Sequence, residues 1–256
     1  MNAILPLVAA EWTKARTVRS TWWTLFTTAV LCLGLGALLG SQFSGSTSRQ
    51  RGDIGAAQIS FYPLLLGQIA LVAFGVLLAS AEYTTGTIRA SLAAVPRRGA
   101  FLAAKALVAA GVAGVAAVAV GFGTFFVTQW AISENAASLG DPEVLRAVLG
   151  GCLHLTMMCV FAMGVAVVLR SSALALGILI PLLFLNSQGL ASIPAIRSVT
   201  QYLPDQAGAA MTRMSSDAMF ILGPVDFGPG QAFLIMLAWV ATALVGGYVS
   251  LRRRDA

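Results

Sequence analysis

Lysine occurs only twice in this chain, at Lys14 and Lys105, and histidine only once, at His154. Neither lysine follows a Gly-rich turn, so no G-x-x-x-x-G-K-[ST] cradle for ATP phosphates can be assembled. A single histidine leaves no HExxH pair and no multi-His metal site. The three cysteines, Cys32, Cys152 and Cys159, all fall in apolar runs, and their odd number gives no disulfide framework. Cys152 and Cys159 are seven apart and share a helix face, where a thiol packs as a small apolar group. Charge is scarce as well: Asp, Glu, Lys and Arg make 10% of the residues, against about 25% in soluble domains. No pair of acids lies within the apolar runs, where an ion-driven carrier often keeps its ligands. No Ser/His/Asp set is suggested by spacing. These absences argue against an enzyme, including one acting on lipid. They weaken the alternative of a secondary transporter or channel without an ATPase partner.

What is present is apolar: 58% of the 256 residues are hydrophobic. Six windows hold no charged residue: 20–48, 54–81, 106–133, 147–169, 171–196 and 227–251. The shortest has 23 residues, and about 20 apolar residues suffice for a 30 Å hydrocarbon core. A charge at mid-membrane costs roughly 2.5–3.5 kcal/mol on insertion scales, so charges are confined to the gaps. The expected fold is an all-α integral membrane protein of six transmembrane helices, one domain over residues 1–256.

The net charge of +6 is topological rather than a nucleic-acid footprint. With both termini inside, 11 of the 16 basic residues lie on the inner side, while seven of the ten acidic residues lie outside. The positive-inside rule makes that inner side the cytoplasm. No small-residue cleavage pattern precedes the first window, so no removable signal peptide is expected.

Residues 3–20 read as an amphipathic helix in the inner headgroup region. Leu5, Val8, Trp12 and Ala15 share one face, with Glu11, Lys14 and Thr17 to one side. Trp22 and Trp23 mark the inner interface of span one. Gly36 and Gly40 form a GxxxG suited to close helix contact, and Ala110, Gly111, Gly114, Ala117 and Gly121 make span three approachable. Pro181 should kink span five. Residues 82–105 form a cytoplasmic loop, and 191–230 an outer segment of short helices that partly re-enter the membrane. His154 has two readings: a substrate contact or proton carrier, or a neutral side chain bonded to a neighbouring helix. Gln68, Asn186 and Gln188 either face a pathway or bond between helices.

The loop after span two reads Ala81-Glu82-Tyr83-Thr84-Thr85-Gly86-Thr87-Ile88-Arg89, then Val95-Pro96-Arg97-Arg98 and Ala104-Lys105-Ala106. Together with Ala10-Glu11-Trp12-Thr13-Lys14, Tyr202-Leu203-Pro204, Ala207-Gly208, Gly228-Pro229-Gly230 and the closing Arg253-Arg254-Asp255-Ala256, it resembles the membrane-spanning permease subunit of type-2 ATP-binding-cassette exporters, in the small actinobacterial form. The resemblance runs the length of the chain in order. It implies a half-transporter in a bacterial plasma membrane, working by alternating access. A second permease copy, most simply a homodimer, would complete the pathway for a small-molecule, peptide or lipid substrate. Two copies of a separate ATPase would bind ATP and Mg, leaving no cofactor in this chain and no nucleic-acid partner. The family's spans two and five line the substrate cavity, and its loop after span two carries an ATPase-coupling helix. The residues here fit that role. Glu82 ends span two, Gly86 can break the helix, Ile88 and Leu92 share a face suited to an apolar groove, and Arg89, Arg97 and Arg98 would rim the contact. The alternative is a plain basic loop obeying the positive-inside rule.

Overall fold

The computed structural model describes residues 4–45, 55–95, 97–133, 136–187, 198–214 and 225–253, with only the backbone over 184–187. The described chain is helical throughout. Its elements are α1 (Ile4–Thr17), α2 (Arg19–Gly45), α3 (Ala56–Ile59), α4 (Tyr62–Thr84), α5 (Ile88–Ala94), α6 (Arg98–Ile132), α7 (Pro142–Leu169), α8 (Ser172–Ser187), α9 (Pro204–Ala210) and α10 (Pro229–Arg253). Five stretches are long and apolar enough to cross a membrane: α2, α3 with α4, α6, α7 and α10. Their outward surface is apolar, as lipid requires: Phe26, Val115, Leu234 and Val245 are all exposed. Trp22 and Trp23 are exposed near one end of the bundle and Trp130 near the other, the placement expected of interfacial aromatics.

The fifth charge-free window departs from expectation. Its described helix, α8, has 16 residues, about 24 Å at 1.5 Å each, short of a 30 Å core. The helix continues through Pro181. Even so, α8 carries the chain across most of the bundle. It begins two residues after Arg170, which donates to the Ser250 carbonyl at the end of α10. It reaches Leu183, which shares a cavity wall with Tyr62 and Asp205. The packing of α7 on α10 requires such a return. Phe161 meets Trp239 edge to face, Gly164 lies against Ala243 and Val167 against Gly247. The two helices are therefore parallel, and the chain must recross between them.

Close contacts depend on small residues. A Cβ at Gly36 would sit 2.6 Å from Thr128 Oγ1, and one at Gly40 2.6 Å from the Thr128 carbonyl. The GxxxG of α2 thus seats it on α6. Gly121 fits under Cys152 and Gly75 under the Cys159 backbone, whereas Gly111 faces open space. The three thiols are buried and free.

Segment 82–105 is mostly helix. Residues 82–84 end α4, 88–94 are α5, and α6 begins at Arg98. In α1 the face buried in the bundle is Glu11 and Ala15, while Leu5 and Trp12 are 74% and 44% exposed. Burying Glu11 is tolerated because a lysine of α6 meets it. Segment 191–230 holds a buried helix: every residue of α9 is buried. Gly208 lies against His154 and Met211 against Gly150. His154 is twelve residues into α7, about 18 Å along it, so α9 penetrates well below the end of the bundle.

Candidate functional site

Four charged residues from three helices meet at the end of the bundle where α1, α4 and α6 converge. Lys105 Nζ lies 2.7 Å from Glu11 Oε2 and 3.4 Å from Glu82 Oε1. Lys14 Nζ lies 2.8 Å from Glu11 Oε1 and 2.6 Å from Glu82 Oε1. Both lysines of the chain are used here, paired with two glutamates, so the quartet is neutral. Glu11, Glu82 and Lys105 are buried, and Lys14 is partly open. Buried charges of this kind persist only when paired and hydrogen-bonded. For Glu11, burial works against the charged form, but Lys105 and Lys14 outweigh it and hold the carboxyl below its usual value. For Lys14, burial acts against the charge, and hydrogen bonds to Glu11 and Glu82 overcome it and raise its value. The sequence reading found Glu82 but missed its partners. The local signals were the i, i+3 spacing of Glu11 and Lys14 and the scarcity of lysine.

Next to this quartet, α4 ends and α5 begins. Gly86 has a φ of +72°, a left-handed conformation that favours glycine, and it turns the chain out of α4. Ile88 is 7% exposed within the core, and Leu92 packs partly against it. They therefore anchor α5 to its own bundle instead of offering an apolar face to a partner. The outward face carries Arg89, Ala90, Ala93 and Ala94, followed by exposed Arg97. Arg98 also departs from its expected place on the rim: it donates to the Leu251 and Arg252 carbonyls. With Arg170 on the Ser250 carbonyl, it caps the C-terminal end of α10, where cations meet the negative end of the helix dipole. A cavity of about 310 Å³ opens beside the quartet, reaching Thr24 of α2, Leu78 of α4 and Ser91 of α5.

A second polar site lies deeper. His154 is buried, and its Nε2 is 3.0 Å from Gln68 Oε1. A carboxamide oxygen only accepts, so Nε2 carries the proton. Nδ1 has no hydrogen-bond partner among the described residues and faces Gly208, where an added Cβ would run into it. Of the two readings of His154, the geometry matches the neutral side chain bonded to a neighbouring helix. Gln68 bonds across to α7 and also lines a cavity of about 340 Å³ with Leu35, Leu39, Tyr62, Leu183 and Asp205. Gln188 lies outside the described residues, and of Asn186 only its place near the end of α8 is described. The cavity thus touches α4 and α8.

A family model described as ABC-2 family transporter protein matches residues 7–186. That is more than half of the chain, and it takes in most of α1, the charged quartet, α5 and the His154–Gln68 pair. The chain belongs to the ABC-2 transporter family. No curated protein matches it. The ABC-2 protein is accordingly a multi-pass membrane protein, the permease component of an ABC transporter. No group of three or more His, Cys, Asp or Glu able to hold a metal ion occurs among the described residues.

Proposed function

We propose that this permease is half of a dimeric exporter, driven by a separate ATPase that docks on α5. Members of the ABC-2 family pair with an ATPase subunit. The observation that carries the docking assignment is the form of α5. It is a seven-residue helix at the end of the second crossing, held to the bundle by Ile88 and open along Arg89, Ala90 and Ala93. A small-residue face with flanking arginines is flat, basic and accessible. The quartet gives this helix a stiff connection. Glu82 lies six residues before Ile88 and is tied to α1 through Lys14 and to α6 through Lys105. A push on α5 would then move three helices together, and the adjacent cavity leaves room for that movement. Alternating access would transmit it to the cavity between α2, α4 and α8.

The cytoplasmic side is assigned to the end that carries α5, Arg97, Arg170 and the close of α10, following the positive-inside rule. The surrounding membrane is proposed to be a bacterial plasma membrane. The exposed Leu5 and Trp12 of α1 suit the inner headgroup layer. Co-purification in mild detergent with the candidate ATPase tests the docking site. Arg89→Glu/Ala93→Glu should lose the ATPase while the permease stays folded. Recovery of the complex at the wild-type level would place the docking site elsewhere.

A further inference from the structure

The cavity of about 310 Å³ beside the quartet joins two unlike surfaces. One part of its wall is apolar, made by Phe74, Leu77 and Leu78 of α4. The other is polar and holds groups that the fold leaves unused. Glu82 lines the cavity and is 6% exposed. Its Oε1 takes both lysines, whereas its Oε2 is buried with no hydrogen-bond partner among the described residues. A buried oxygen in that state is costly, and a carboxylate held between two lysines only accepts, so what satisfies it must be a donor. Lys14 has three N–H donors and spends two, on Glu11 and Glu82. Its side chain is 44% exposed. Ser20, Thr21 and Ser91 also stand in the wall, with no side-chain hydrogen bond among the described residues. Because the quartet is neutral, a zwitterion suits it better than a free ion of either sign: the cation can face Glu82 and the anion Lys14. Depth narrows the class further. Val18 and Thr21 of the wall lie within about one turn of the exposed Trp22, an aromatic of headgroup depth. The molecule that meets a donor requirement, a spare ammonium and an apolar wall at that depth is a phospholipid with a primary ammonium. A choline headgroup has no N–H to donate. A glycerol headgroup brings a net negative charge beside Glu11 and Glu82.

We propose that this cavity binds one phosphatidylethanolamine molecule, its ammonium on Glu82, its phosphate on Lys14 and an acyl chain along Phe74, Leu77 and Leu78. Such a lipid would fill the room that a push on α5 needs. Reading it as a regulator of coupling rests on the exporter assignment; the binding itself does not. The test is native mass spectrometry of the full chain in detergent, without an ATPase. Phosphatidylethanolamine, phosphatidylcholine and phosphatidylglycerol of identical acyl chains are titrated, and the lipid-bound fraction is followed. The expected result is saturable one-to-one binding of the ethanolamine lipid, about tenfold tighter than either of the others. Free phosphoethanolamine should not compete at equal concentration. Glu82→Gln should weaken the binding by about tenfold. Ala81→Phe, at an exposed position in the wall, should weaken it by filling the cavity with the quartet intact. Thermal melts establish folding, and if Glu82→Gln does not fold, the Ala81→Phe result decides. Equal affinity for the three lipids, or tighter binding of the choline or glycerol lipid, would overturn the proposal. So would competition by free phosphoethanolamine as strong as the lipid's own, or unchanged affinity in the folded variants. Ethanolamine-lipid binding by a chain that never recruits an ATPase would sink the exporter reading and leave the site standing.

Discussion

Lys105 is 3% exposed in its side chain and stands between two glutamates, so its removal should be among the most damaging single changes. Breaking a buried ion pair from one side costs about 3–5 kcal/mol, and Lys105→Met should lower the melting temperature sharply. Lys105→Met combined with Glu11→Gln should recover part of that loss. The quartet also sets a pH dependence. The Glu11 carboxyl is held below its usual value, so its contribution is present above the unfolded value and is lost as pH falls through the lower folded one. Lys14 is raised, so its contribution is present below the unfolded lysine value and is lost as pH rises through the higher folded one. Thermal melts should therefore show a plateau between the two, and Glu11→Gln should flatten the acid limb; an unchanged acid limb in that variant would contradict the assignment. Gly208 gives a steric counterpart. Gly208→Ala would drive a methyl into His154, and overpacking of this kind costs about 1–3 kcal/mol. His154→Ala added to it should relieve the strain, a coupling that a double-mutant cycle measures. None of these pairings was legible beforehand. Glu11 and Lys105 are 94 residues apart in sequence, and charge placed between apolar windows reads first as a topological marker.

α5 shows where helix-level reading succeeded and where it stopped. Its position after Gly86 follows from glycine chemistry, while its bounds, 88–94, lie later than the sequence expectation of 83–92. The direction of that pair was not legible, because an i, i+4 apolar face fits a partner's groove and the chain's own bundle equally well. The structure turns Ile88 inward, and this changes the expected outcomes. Ile88→Asp should destabilise the permease itself, losing about 1.5–3 kcal/mol of burial and adding an unpaired charge. Arg89→Glu/Ala93→Glu, on the exposed face, should leave the melt within about 0.5 kcal/mol per site while detaching the ATPase. Melting the two variants side by side, with the ATPase pull-down, separates the roles. α1 carries the same lesson. Its apolar stripe was legible, but the face that packs on α6 is Glu11 and Ala15, because the lysine opposite makes burial of a carboxylate tolerable. α9 falls in the segment whose prolines and Ala- and Met-rich stretch suggested short helices, whereas the burial of Asp205 was not legible. A seven-residue helix is too short to show a periodic pattern.

At the scale of the whole molecule, the crossings were legible because lipid excludes charge so strongly. The charge-free windows located the five long helices and the shorter α8. The ends were less legible, since α6 runs to 35 residues, about 52 Å, and absorbs part of the expected loop. The capping of α10 by Arg98 and Arg170 brings the starts and ends of distant helices to one face, the face proposed to be cytoplasmic. Single cysteines at Arg97 and Ser138, in a background with Cys32, Cys152 and Cys159 replaced by alanine, report on the assignment. In intact cells an impermeant maleimide should label position 138 and spare position 97; the reverse would invert the orientation. The central claim is that this chain is a permease whose energy comes from another subunit. ATP hydrolysis by the purified chain in nanodiscs, alone and after addition of the ATPase, tests it most directly. The account predicts no hydrolysis by the chain alone, and hydrolysis by the reconstituted complex that falls when Arg89→Glu/Ala93→Glu is used. Hydrolysis by the pure chain, or an ATPase whose activity and recovery ignore the permease altogether, would contradict it.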